Sequence, residues 1–370
     1  MNDGFTVYLG YTKPQCYDFV TGKNSPLICG TTCSMLSLVK ENMNMKKLNV
    51  ALAILVTAVM AGNAQTTVTS DIVGYQTTTL PVGSYKGVGI SLVNPTVVSG
   101  SIATSVSGLL TISGASAIGS TLDAASAYYV EITSGANVGD RFDVNVAATK
   151  SANNATVQLA TSSSRNTASS TVNLAGQSLV LRKHVTLDQF RQSLTGTLRG
   201  DDGSASQADT VYIHNGTAFD VYWLGADLQS WVTDADPDDH RYDIIAPGQG
   251  FLFYKRGTAA TFTSVGNVRN NNYKQVIPAG YKMCAPGFPR SYTPVTAGAS
   301  LNQGWSVNDR IYVHNGTAFS LYTLTSDGSA QGAWDNGIDP DPVNDTQIVQ
   351  GDTAFLTKLN TASASIETKP

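Results

Sequence analysis

Two stretches of this chain, a hundred residues apart, spell nearly the same strand–turn–strand: DTVYIHNGTAFDVYWL at 209–224 and DRIYVHNGTAFSLYTL at 309–324. Most positions are identical and several others exchange one aliphatic for another, so whatever this segment folds into is built twice. Strand formers flank Asn215-Gly216 and Asn315-Gly316, and Asn-Gly is the preferred pair for a two-residue type I′ turn, so each copy predicts a hairpin. Downstream, Trp231 and Trp334 recur, followed by Asp236-Pro237-Asp238 and Asp339-Pro340-Asp341. Each unit closes with a turn and a strand, at 248–255 and 351–358. Fainter echoes lie earlier: 176–183 resembles the closing strand, and Leu80–Lys86 resembles Ile277–Lys282. A lone hairpin is marginal in water, so these pieces must pack face to face.

Charged residues make up only 14%, against about 25% in ordinary soluble domains. Ser, Thr, Asn, Ala and Gly replace them, which suits short strands, frequent turns and an exported protein. The mildly acidic balance, with no basic stripe, excludes nucleic acid as a partner. Between 96 and 184, Ser107-Gly108 sits between two strand-like runs, 128–132 and 141–146 form a further candidate pair, and 157–159 and 178–182 supply later strands. A small antiparallel barrel or sandwich is expected there. Thr186–Leu194 reads as one short helix, capped by Thr186 with Leu187, Phe190 and Leu194 on one face. The Gly- and Asp-rich stretch 196–206 reads as a linker. The expected fold is therefore all-β: antiparallel sandwich or barrel-like domains built from repeated hairpin units, with one short linking helix. A β domain spans 65–195, and a second spans 196–370 with hairpin units at 209–256 and 309–358.

Met45-Lys46-Lys47, an apolar run over 48–61 and Gly62-Asn63-Ala64 have the three parts of a secretory signal peptide, cleaved after Ala64. The apolar run is short of the ~20 residues that span a bilayer, so the mature chain is expected outside the cytoplasm, without a membrane span. Residues 1–44 are polar and irregular, unlike the rest of the chain, and read as a gene-start error. Cys16, Cys29 and Cys33 lie in that leader. Cys284 is alone in the mature part and reads as a buried, inert thiol.

Asp71–Tyr75, Tyr128–Gly135, Arg141-Phe142-Asp143, Lys183–Leu187, the Asn-Gly hairpins and Pro247–Phe251 occur in an order that resembles a group of uncharacterised secreted proteins found mainly in verrucomicrobial bacteria. The likeness covers roughly 70–360. It implies a secreted or surface β protein and brings no activity with it.

No nucleophile elbow, phosphate loop or His-Glu-x-x-His zinc motif is present. His214 and His314 occupy equivalent places, which points to a shared structural task near the turn. Asp234, Asp236 and Asp238, with Asp339 and Asp341 as a looser second set, space carboxylates as weak calcium loops do, but the EF-hand glycine and terminal glutamate are missing. A solvated turn, in which Asp starts the bend and Pro fixes φ, is the favoured account, and calcium is the one candidate cofactor. Tyr222, Trp223, Trp231, Tyr322 and Trp334 are candidate sugar-stacking rings, although strands more often bury such rings. Asn-Gly-Thr also fits a glycosylation sequon, for which turn chemistry is the simpler account. The expectation is a non-catalytic, exported structural or interaction protein, with polysaccharide or other surface proteins as partners. A carbohydrate-binding module and a hydrolase without a recognisable motif, using Asp238 or His214, are the alternatives.

Overall fold

Short runs of Val, Ile, Thr, Tyr and Phe, many of them closed by Gly, Asn or Asp, fold as antiparallel strands throughout the residues described by a computed structural model: 72–338, 354–360 and 364–368. The chain begins with β1 (Val73–Leu80) and β2 (Tyr85–Gly89). Then come β3 (Thr96–Val106), β4 (Leu109–Ile112), α1 (Ile118–Thr121), β5 (Tyr128–Ile132), β6 (Arg141–Asp143), α2 (Val146–Ala152), β7 (Thr156–Gln158) and β8 (Ser178–Lys183). After these, β9 (Val185–Thr186), α3 (Leu187–Gln192) and β10 (Leu194–Thr195) lead into β11 (Thr210–His214), β12 (Phe219–Leu224), β13 (Trp231–Val232), β14 (Ile244–Ile245), β15 (Gly250–Tyr254) and β16 (Ala260–Asn267). The last part holds β17 (Tyr273–Ile277), β18 (Gly280–Cys284), β19 (Arg310–His314), β20 (Phe319–Thr325), β21 (Ala333–Asp335), β22 (Phe355–Leu359) and β23 (Ala364–Thr368). The fold is all-β and antiparallel, as expected. Among the described residues no helix is long and apolar enough to cross a membrane. The signal-like segment 45–64, the leader before it, and Asp339 and Asp341 lie outside the described residues.

Two five-stranded sheets follow one order, β13-β12-β11-β15-β2 and β21-β20-β19-β22-β18. The two similar hairpins sit at the same place in each. The echoing segments Leu80–Lys86 and Ile277–Lys282 run from the ends of β1 and β17 into the edge strands β2 and β18. Beside them, β1 pairs with β16 and β17 with β23. Registers Thr210↔Tyr254 and Arg310↔Lys358 make Phe251 the counterpart of Phe355, one residue away from a gap-free comparison of the closing segments.

The sheets face each other across a layer of Leu252, Met283, Ala354 and Leu356, flanked by Tyr85, Tyr212, Tyr281 and Tyr312. Contacts across it are reciprocal: Tyr85 meets His314 at 5.7 Å between ring centres, and Tyr281 meets His214 at 5.8 Å. When i touches j′ and j touches i′, the two halves are related by an internal twofold. Close approach is possible because Gly250 lacks a side chain; a Cβ there would lie 2.4 Å from the Cys284 carbonyl oxygen.

Residues 96–183 form a six-stranded sheet, β6-β5-β8-β3-β4-β7. It curls until its edges meet at the Val144↔Leu159 bridge, where Asn145 N–H donates to the Gln158 carbonyl at 2.8 Å and Ala160 N–H to the Asp143 carbonyl at 2.7 Å. Ser107 and Gly108 both take positive φ, 50° and 79°, the signature of a type I′ turn. The barrel has its own core, which includes Leu110, Val130, Phe142 and Leu181. Helix α3 is capped as expected: Thr186 and Gln189 form a capping box, and Leu187 and Phe190 are buried.

Strand pairing does not divide at residue 195. β1 and β2 belong with β16 and β15, so the barrel is an insertion within the first half of the sandwich. The described residues form one compact unit. Nor is 196–206 a free linker. Asp201 N–H donates to the Leu224 carbonyl at 3.0 Å, and the Asp201 carbonyl accepts from Trp223 Nε1 at 3.0 Å. On β17, the barrel loop comes close enough that a Cβ on Gly139 would lie 2.9 Å from the Asn272 carbonyl oxygen, and Lys274 pairs with Asp140 at 3.5 Å. The matching ribbon in the other half, β1 with β16, leaves Val73, Tyr75 and Val265 exposed.

Candidate functional site

The rings proposed as sugar platforms are mostly core. Trp223, Trp231 and Trp334 are buried, and their indole N–H groups donate to the carbonyls of Asp201 (3.0 Å), Leu187 (3.2 Å) and Ala299 (2.8 Å). The last two anchor corresponding strands, β13 to the first residue of α3 and β21 to the loop at Ala299. Tyr222 is half-buried, edge-on to His240 at 5.7 Å, and Tyr322 is half-buried against the core of the second half. None of the three tryptophans presents a stacking face, because a strand's inward positions take its largest apolar rings.

Asp234, Asp236 and Asp238 are exposed. Asp236 accepts from Asp238 N–H at 3.0 Å, an Asx turn, and stands 3.8 Å from His240 Nε2. Among the described residues no three His, Cys, Asp or Glu side chains are grouped to hold a metal ion. The loop is built as a turn.

The histidines are engaged in structure. Nδ1 of His214 accepts from Gly216 N–H, and Nδ1 of His314 from Gly316 N–H, both at 3.0 Å. Each ring is therefore neutral, with its proton on Nε2. Burial lowers both pKa values, in keeping with that. The expected two-residue turn is not what forms here. Only the glycine takes positive φ, 111° and 109°, and the Asn side chain fills the loop: Asn215 Oδ1 accepts from Thr217 N–H (3.1 Å), Thr217 Oγ1 (3.0 Å) and Ala218 N–H (3.0 Å).

One Ser, His and Asp do meet. His184 Nε2 lies 2.9 Å from Asp143 Oδ1, and Ser163 Oγ donates to Asp143 Oδ2 at 2.6 Å. Burial would raise the Asp143 pKa, but the bonds and charges of His184, Ser163 and Arg165 outweigh it and hold the value at about 2. Nucleophilic catalysis needs the imidazole between hydroxyl and carboxylate; here the carboxylate stands between. Cys284 is a buried thiol, pushed up to about 11 by burial.

The feature that sequence reading missed as a site is the seam between barrel and sandwich. Along β5, alternation sends Tyr128, Val130 and Ile132 into the barrel core, leaving Tyr129 and Glu131 on the outer face. On β6, Phe142 points in, and Arg141 and Asp143 point out. Yet these outward residues are buried: the sandwich covers Glu131 with Arg269 and Arg141 with Tyr273, while Asp143 lies under the barrel's own Ser163 and Arg165. Arg269 Nε donates to Glu131 at 3.1 Å, and its Nη1 donates to the Gly287 carbonyl at 2.9 Å. Arg182 Nη1 donates to the Asn94 carbonyl at 2.8 Å. The guanidinium carbons of Arg141 and Arg269 lie 4.5 and 5.0 Å from the centre of the Tyr273 ring.

Where this seam opens there is a cleft of about 280 Å³, walled by Arg141 and Arg165 of the barrel, His214 and Gln249 of the first half, and Gln275 and Lys282 of the second. None of the lining residues is acidic. The signal for it was present in the sequence: Glu131 interrupts a strand otherwise apolar and aromatic, and Arg141 and Asp143 flank Phe142 on the next. Their partners, however, lie far along the chain. Compared with protein-family models, with curated proteins and with solved structures, the chain matches none.

Proposed function

We propose that this chain is an exported, non-catalytic interaction protein that holds a small molecule, or the end of a larger one, in the cleft between barrel and sandwich. The cleft carries the reading. Its walls come from three parts of the chain, so its shape exists only in the folded whole, and it combines convergent polar groups with an apolar floor of Pro247, Val276 and Met283. Export is supported by the signal-like segment 45–64 and by the resemblance to secreted verrucomicrobial proteins. The common strand order of the two sheets supports reading them as copies of one duplicated unit. The placement of Asp143 between Ser163 and His184 favours binding over hydrolysis. Surface polysaccharide remains a partner class for this reading, through the cleft rather than through the tryptophans.

The test has two parts. Expression in a bacterial host followed by amino-terminal sequencing should give Gln65 as the first residue of the exported product. Thermal-shift screening of that product against saccharides and organic acids should then find a stabilising compound that is recovered chemically unchanged. A product retained in the cytoplasm, or a ligand consumed on incubation, would sink the proposal.

A further inference from the structure

We propose that the cleft recognises its ligand through an oxyanion (a carboxylate, sulfate or phosphate group) seated between Arg141 and Lys282. This rests on reading the cleft as the binding site.

Arg141 has no carboxylate partner among the described residues, and its Nη1 is buried without an acceptor. The residue is 5% exposed. A guanidinium cannot shed its proton, so the charge must be borne in place. A buried charge with no counter-charge is costly. The Tyr273 face beneath it offsets only part of that cost.

The surroundings share the imbalance. Six cationic side chains gather at the seam: Arg141, Arg165, Arg182, Arg269, Lys274 and Lys282. Among the described residues only Glu131, Asp140 and Asp143 answer them with ion pairs, to Arg269, Lys274 and Arg165. Arg182 Nε and Arg269 Nη2 are also buried without acceptors. A chain with a formal charge of −4 has concentrated positive charge in one place.

The groups left free in the cleft are donors. Lys282 Nζ makes one bond, to the Val276 carbonyl at 2.9 Å, and keeps further N–H groups. Burial lowers its pKa; Cys284 beside it acts the other way, and the charge of Arg141 adds to the lowering. With Nδ1 of His214 taken by Gly216, Nε2–H is its free edge. Gln249 Oε1 accepts from Ala246 N–H at 3.1 Å, which leaves the amide NH₂. Gln275 has both ends of its amide engaged, donating to the Gly248 carbonyl at 2.6 Å and accepting from Tyr273 Oη at 3.1 Å. A wall of unused donors with two cations calls for an acceptor carrying negative charge. A volume of about 280 Å³ is at the small end for ligand pockets, which limits the occupant to a small acid or one terminal acidic unit.

Calorimetric titration of the purified full-length chain tests this, with galacturonate, sulfate, phosphate and neutral galactose as probes. The acidic probes should bind in competition with one another and galactose should not. Galacturonate binding more tightly than sulfate or phosphate would mean that the body of a uronate is also read; equal binding would mean that the oxyanion alone is recognised. Either result supports the proposal. Arg141→Gln and, at the more accessible edge, Lys282→Gln should each weaken binding roughly tenfold or more. The lysine variant keeps the test alive if the arginine variant does not fold. Galactose bound as tightly as galacturonate, or oxyanion binding unchanged by Lys282→Gln and Arg141→Gln, would overturn the oxyanion assignment while leaving the cleft a binding site. No binding by any probe would overturn both.

Discussion

Asp209 and Asp309 occupy the same place in the two halves, yet only one of them has a lysine. Asp209 takes the N–H groups of Arg199 (2.9 Å) and Arg256 (2.7 Å), and the buried Lys255 ammonium at 2.8 Å. Asp309 takes the N–H groups of Ser306 (2.7 Å) and Asn360 (2.9 Å). By strand register, the counterpart of Lys255 is Leu359. The molecule thus contains its own comparison: the aspartate's main task is to satisfy two backbone donors, which it performs without a cation. Asp209→Ala strands those donors and a buried ammonium together, and is expected to cost about 3–5 kcal/mol. Lys255→Leu, which reproduces the other half, should cost less than half as much. Urea unfolding of the two variants measures both; equal losses would refute the comparison.

At the scale of elements, the repeated hexapeptide at 214–219 and 314–319 is explained position by position. The His ring receives the Gly N–H, the Asn carbonyl receives the Thr and Ala groups, and Phe319 packs edge-on against His314 at 4.7 Å. That the segment is a hairpin was legible from its flanking strand formers. Its turn type was not, because the rule for Asn-Gly considers the backbone alone, while the Asn side chain here offers the loop an alternative set of bonds. The same rule applied to Ser107-Gly108 finds a true type I′ turn. Gly316 has open space around its Cα but φ of 109°, so strain alone should make Gly316→Ala destabilising, by roughly 1 kcal/mol. A thermal midpoint unchanged by that substitution would mean that the loop refolds freely. Helix α3 was legible to its cap, since capping box and apolar face are local. The tryptophans were legible as paired positions but not as anchors, because the carbonyls they bond lie 44 and 35 residues away.

Over the whole molecule, the seam between barrel and sandwich shows where sequence reasoning stops. Glu131 and Arg269 are 138 residues apart, and no local pattern links them. The boundary at 195 was misplaced for a related reason: the segment at Leu80–Lys86 was visible as an echo, but that it completes a distant sheet was not. The histidines act at this scale too, because two sit between the facing sheets and His184 lies in the seam. Burial lowers all three below the ordinary histidine value of 6.5. The unfolded chain therefore binds protons that the folded chain refuses as pH falls through about 6.5, and stability must decline in that direction. It is fully present above about pH 7. Protonating Nδ1 of His214 or His314 also removes an acceptor from its turn. Urea midpoints measured from about pH 8 to about pH 5 should fall, and His314→Gln should flatten the slope; a profile rising toward the acid end would contradict the assignment.

The barrel is inserted in one half only, yet it lies against the β17 ribbon of the other. Matching Ile277 to Leu80 sets Lys274, where the barrel touches, opposite Thr77 on β1. Two separate, identical chains in the same twofold arrangement would each bring a barrel, cover both ribbons and form two clefts. Joined in one chain, the halves share a single barrel, so binding should saturate at one ligand per molecule. The bare strip of Val73, Tyr75 and Val265 marks the ground that a second barrel would have occupied.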